Sequence, residues 1–179
     1  PPSRLAAVTE SPDAPWGEPR SREISWHDPA TVLAAARELS GYEYLSAMIE
    51  GRLPPPPIAQ TLGFTMSRLE QGEVWFTCEP HESHYNPIGM VHGGLVCTLL
   101  DSALACAGHT LLPAGAGYTS IEIKVNYLRP VSPASGLLTA HGWVTKPGRR
   151  VLFVEGDVRD AADKVGATAS GSCLVMSGS

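Results

Sequence analysis

Charge is scarce in this sequence. Of its 179 residues, 13 are Lys or Arg and 18 are Asp or Glu, 17% in all, against roughly 25% in an ordinary globular chain. The net charge of -5 at pH 7 leaves no basic excess. No basic tail or basic helix is present, so no nucleic-acid partner is expected. So thin a charge layer suggests surface buried in an oligomer. No run of about 18 apolar residues occurs, so no membrane-spanning helix and no membrane partner are expected. No signal-peptide pattern is read either. Cysteine is scarce, with Cys78, Cys97, Cys106 and Cys173 and no C-x-x-C pair among them. Each lies in an apolar segment, where free cysteine behaves as a small hydrophobe. No His/Cys ligand cluster accompanies them, so no structural zinc, no other metal and no resident cofactor are expected. A reducing, cytoplasmic compartment fits best. The sequence opens on Pro1 rather than Met, which leaves its true start open.

What is present suffices for one globular domain and some extra length, with 43% hydrophobic residues to build a core. Residues 1–28 are proline-rich and aperiodic, the pattern of a surface arm. From Asp28 to Glu50 the pattern turns helical. Asp28 can cap, Pro29 suits the first helical position, and Val32, Leu33, Ala36 and Leu39 follow at helical spacing. Gly41 divides this stretch, and the second helix carries Tyr44, Leu45 and Met48. Four prolines at 54–57 impose an extended linker. The division expected is therefore 1–54 as arm and helical extension and 55–179 as the main domain.

In that domain, residues 58–69 and 72–79 read as a hairpin, with Val74, Phe76 and Cys78 on one face. Residues 93–110 lack proline and are apolar almost all round, as a buried helix is. Strands follow at 118–128, 137–145, 151–158 and 165–176, separated by turn sequences. Their short connections predict an antiparallel meander of four. The economical arrangement is α+β: a curved antiparallel sheet of about six strands wrapped around one long central helix, preceded by a helical extension.

Asp101 is the anomaly of that helix. An ionised carboxylate among Leu99, Leu100, Ala103 and Leu104 is costly without partners, and buried titratable groups cluster at functional sites. The plainer alternative is a carboxylate facing water. His92, Gly93 and Gly94 stand where a loop becomes the helix. Bare N–H groups and the positive end of the helix dipole suit an oxyanion there, although a simple glycine turn would look alike. Asn86 in the same loop offers a side-chain donor or shapes the turn. Spacing then constrains the chemistry. His92 and Asp101, nine residues apart, fall on opposite sides of a helix with about 13 Å of rise, and Gly93 lies about 12 Å from Asp101. If all act on one carbonyl, Asp101 of one chain works with Gly93 and His92 of another. Arg149 and Arg150 either flank a hairpin or meet phosphates, for which arginine forks are suited.

The segment HYNPIGMVHGGLVCTLLDSALACAGHTLLPAGAGYTSIEIKVNYLRPV resembles the hotdog-fold acyl-CoA thioesterases of the phenylacetate-degradation type. Asn86, then His92-Gly93-Gly94 six residues on, then Asp101 nine beyond the histidine, carry the resemblance, which spans about residues 55–176. It implies the hotdog fold, metal-free hydrolysis of acyl-CoA, and a homodimer with sites at its interface, commonly paired into a homotetramer. By motif position it makes Asp101 the general base or nucleophile and Gly93 the oxyanion donor. Asn86 and His92 orient water and thioester, and Ser120 supports the carboxylate. Strict strand alternation instead groups Ser120 with Glu122 and Lys124. Arg149 and Arg150 become candidates for coenzyme A phosphates. Two other functions compete: a hotdog dehydratase or hydratase acting on acyl thioesters, and an acyl-CoA-binding protein without catalysis.

Overall fold

Capping chemistry starts the N-terminal helices where the sequence places them, although Leu39, expected in the first, lies in a bend outside it. The computed structural model describes residues 15–35 and 37–176. The arm before residue 15 and the helical position of Ala36 lie outside the described residues. Helix α1 runs Pro29–Ala35, with Pro29 first and the Ala30 N–H donating to Asp28 Oδ1 at 2.9 Å. Helix α2 spans Gly41–Ile49 and opens on a reciprocal box in which Ser40 accepts from the Glu43 N–H while Glu43 accepts from the Ser40 N–H.

The expected first strand of residues 58–69 is corrected at its start. Pro57–Leu62 form a short helix, α3, closed by Gly63 in the left-handed region at φ 65°. Proline leads this helix and glycine ends it, the usual asymmetry. Strand β1 is Phe64–Glu70 and pairs with β2, Glu73–Cys78. Val74, Phe76 and Cys78 point inward, as alternation requires.

Helix α4, Gly93–His109, is the centre of the domain. Beyond it come β3 (Gly117–Tyr127), β4 (Leu138–Lys146), β5 (Val151–Arg159) and β6 (Val165–Met176). All six strands form one antiparallel sheet in the order β1-β2-β4-β5-β6-β3. This is the hotdog architecture that the resemblance implies. Only β4, β5 and β6 form the meander. Strand β3 pairs with β6 at one edge, and residues 128–137 carry the chain across to β4 beside β2. That connection contains Pro130 and Pro133, which cannot supply the amides of a tight hairpin. The Val91 N–H donates to Val131 O at 3.1 Å and pins it to the loop before α4.

Leu95, Val96, Leu99, Leu100, Ala103 and Leu104 are buried against the sheet's concave face. The closest approach is at Gly142, where a Cβ would lie 2.3 Å from the carbonyl carbon of Ala103. Only glycine permits that contact, and it lets the sheet curve onto the helix. The expectation that α4 is buried all round does not hold. Cys97, Thr98, Asp101 and Ser102 share a less buried face, at the i, i+1, i+4, i+5 spacing of one helical stripe. The leucines next to Asp101 in sequence point to the other side. Among the described residues, no helix is long and apolar enough to cross a membrane.

Candidate active site

Asp101 sits half-buried in the middle of the polar stripe of α4. Ser120 Oγ donates to Asp101 Oδ1 at 3.0 Å. This contact corrects the alternation that grouped Ser120 with Glu122 and Lys124. The pairing of β3 with β6 runs Ser120↔Cys173 and then Glu122↔Ser172, so Ile121 is an extra, bulged residue. One inserted residue reverses the parity of the strand. Tyr118 and Ser120 before the bulge therefore share the helix-facing side with Ile123, Val125 and Tyr127 after it.

The loop before α4 is built around Asn86. Its Oδ1 accepts from the Ile88 N–H at 3.1 Å and the Met90 N–H at 3.0 Å, and its own N–H donates to Met90 O at 2.8 Å. The carbonyl end shapes the turn, which leaves the amide NH2 as the end able to donate outward. The His92 N–H then donates to His84 O at 2.8 Å, fixing the point where the chain enters the helix. His92 is the N-cap residue, and its Nδ1 accepts from the Gly94 N–H at 2.8 Å. That bond assigns the proton to Nε2. The Gly93 N–H has no partner among the described residues. It is thus an unpaired donor at the positive end of a 17-residue helix.

One residue that motif reasoning did not single out, Tyr127, holds Gly93 in place. Tyr127 Oη donates to Gly93 O at 2.9 Å. A Cβ at Gly93 would come within 3.2 Å of the Tyr127 ring, so the tyrosine and the missing side chain fit each other. The alternation that sets Ile123, Val125 and Tyr127 on one face was the signal that could have found Tyr127.

Asp101 and Ser120 belong to one group and Asn86, His92 and Gly93 to another. Gly93 and Asp101 anchor the two groups on the unbroken α4, eight residues, or about 12 Å, apart. The single chain does not bring them together. Arg149 and Arg150 are exposed in the β4–β5 turn and do not line the cavity beside Asp101.

That cavity measures about 990 Å³ and follows α4 from Asp101 toward His109. Two cysteines are near it. Burial pushes the Cys106 thiol up to about 12, and burial followed by the Asp101 charge raises Cys97. Neither is a thiolate at neutral pH, so neither is a ready nucleophile. Burial alone lowers His109 to about 4. The folded chain thus holds this imidazole neutral, whereas the unfolded chain protonates it near 6.5. Since the unfolded state binds more protons between those values, stability falls as pH drops from about 6.5 to about 4. Urea unfolding should show this slope in the wild type and a shallower one in His109→Phe. Equal slopes would mean that the imidazole is not held neutral.

A sheet wrapped round one helix, with a carboxylate in the helix middle and one unpaired amide, that of Gly93, at its start, defines a class within the hotdog fold. The thioesterase superfamily model matches residues 88–167. Human acyl-coenzyme A thioesterase 13 is 30% identical over 126 residues, covering 67% of this chain and 82% of that protein. Among solved structures, the phenylacetic acid degradation-related protein of Ralstonia eutropha JMP134 is 29% identical with a TM-score of 0.67. The match covers 73% of this chain and 98% of that one. A thioesterase family protein from Silicibacter pomeroyi is 26% identical with a TM-score of 0.68, covering 75% and 99%. The chain belongs to the thioesterase superfamily and is, by class, a thioester hydrolase.

Proposed function

We propose that the protein hydrolyses acyl-CoA thioesters to a carboxylic acid and coenzyme A at sites shared between two copies of the chain. The observation that carries the reading is the Asp101–Ser120 pair at 3.0 Å, set on the polar stripe of an otherwise buried helix. The name of the human relative, an acyl-coenzyme A thioesterase, supports the substrate class.

The thioester carbonyl docks against the Gly93 N–H of one chain, where the helix end stabilises the oxygen as it gains charge. Asp101 of the other chain takes a proton from water, and the resulting hydroxide attacks the carbonyl carbon. Collapse of the tetrahedral intermediate breaks the C–S bond, and the departing thiolate recovers the proton from Asp101. Asp101 acting as the nucleophile, through an anhydride that water then opens, uses the same groups. Neither route requires a metal or a cofactor. The Nε2–H of His92 and the free amide of Asn86 orient the thioester and the water. A CoA pyrophosphate outside the cavity is the partner assigned to Arg149 and Arg150.

The open edge of β3 supports a two-chain assembly. Ile121 is 55% exposed on that 11-residue strand and Leu128, just past its end, is 58% exposed, and an unpaired apolar edge invites another strand. A second chain there would cover the stripe carrying Asp101. Pairing of such dimers into a homotetramer is the assembly proposed, with the division at residue 54 separating the extension from the catalytic domain.

Release of free thiol from a panel of acyl-CoA substrates tests the activity. A hydrolase yields thiol with at least one of them. Hydration of an enoyl-CoA with no thiol released would favour the dehydratase class, and binding with no turnover would favour a sensor. Ser120→Ala probes the support of the carboxylate. A hydrogen bond to a charged group contributes about 1.5–3 kcal/mol, so kcat should fall by about tenfold or more with little change in KM.

A further inference from the structure

The cavity beside Asp101 extends well beyond the place of the reacting carbonyl. At about 990 Å³ it lies at the upper end of the range of roughly 300–1,000 Å³ for small-molecule sites. Its floor is one face of α4, from Asp101 through Ala105 and Cys106 to His109, which is about 12 Å of helix. Phe64, Met66 and Phe76 wall it on the side of β1 and β2, and Tyr118 to Ser120 wall it on the side of β3. The far end is closed by aromatic rings. His109 lies between Tyr44 and Tyr118, with centroids 5.6 and 4.9 Å away. The roof comes from the N-terminal extension: Leu33 on α1, and Tyr44 and Met48 on α2.

We propose that α1 and α2 are a specificity element. They roof a trough that takes the unbranched hydrocarbon tail of a medium-chain acyl-CoA, roughly eight to ten carbons long. This rests on the hydrolase reading, with the thioester carbonyl at Asp101. The length follows from the floor. Carbon–carbon bonds of about 1.5 Å in a zigzag advance about 1.25 Å each, so about 12 Å holds some nine or ten carbons. The lining supplies the driving force, because each methylene moved from water onto apolar side chains contributes about fourfold to binding. An acetyl group would not reach the roof. A phenylacetyl group would leave the His109 end unfilled, forfeiting the contacts of its lining.

The test compares kcat/KM for acetyl-, butyryl-, octanoyl-, decanoyl-, palmitoyl- and phenylacetyl-CoA on the full chain, by thiol release. Octanoyl- or decanoyl-CoA should exceed butyryl-CoA by tenfold or more, with palmitoyl-CoA falling again. Leu33 is 68% exposed, so Leu33→Asp leaves the fold intact while setting a carboxylate at the roof. It should lower the value for decanoyl-CoA by about tenfold and leave butyryl-CoA unchanged. Met48→Trp, which fills the trough from above, should do the same. If thiol is released but the chain-length profile is flat, or unmoved by both substitutions, the roof assignment falls and the hydrolase reading stands. If no member of the series yields thiol, the hydrolase reading falls and the specificity assignment falls with it.

Discussion

Asp101→Asn should cut thiol release from acyl-CoA by about 100-fold or more. The substitution preserves volume and leaves an oxygen to accept from Ser120 Oγ, which now lies 3.0 Å from Asp101 Oδ1. What it removes is the negative charge, and with it the capacity to accept a proton or to attack carbon. The two alternative nucleophiles nearby do not compensate, because Cys97 and Cys106 are held as thiols by burial. Asp101 stands on the less buried stripe of α4, so the exchange should not unfold the protein, and a urea midpoint near that of the wild type would confirm it. Cys106→Ala is the matching control, with turnover retained. A folded Asp101→Asn variant that releases thiol at nearly the wild-type rate would remove Asp101 from the chemistry.

The sequence carried the architecture in its periodicities. The apolar helix of residues 93–110 and the alternation of Val74, Phe76 and Cys78 set the core and its two layers. The pairing order was not readable, because alternation within β3 is the same whether its neighbour is β4 or β6. Helix α3 was hidden because six residues are too few to show a helical period, although Pro57 and Gly63 marked both of its ends. The Asp101–Ser120 contact was obscured for a different reason. A bulge at Ile121 reverses strand parity, and no residue type announces a bulge in that segment. Tyr127 falls by alternation on the same face as Ile123 and Val125, but nothing in the sequence pairs its hydroxyl with Gly93 O. The stripe of Cys97, Thr98, Asp101 and Ser102 could be found only by plotting α4 as a helix, since its leucines dominate any linear reading. The place of α1 and α2 over the Asp101 cavity is a tertiary fact, settled by packing between distant segments.

The shared site rests on one distance and has one direct test. Gly93 and Asp101 are about 12 Å apart along an unbroken helix, yet the chemistry needs both within roughly 3 Å of the reacting atoms. Gly93→Pro removes the N–H proposed to meet the oxyanion. Proline is tolerated at the first helical position, although the Tyr127 ring, 3.2 Å from a Cβ at that position, must give by a few tenths of an ångström. Alone, Gly93→Pro and Asp101→Asn should each be nearly inactive. When the two are unfolded and refolded together in equal amounts, about half of the dimers are mixed. Each mixed dimer has one site with both lesions and one with neither, so about a quarter of wild-type thiol release should return. Mixed dimers that form, verified by a tag on one variant, and yet recover no activity would contradict the shared site.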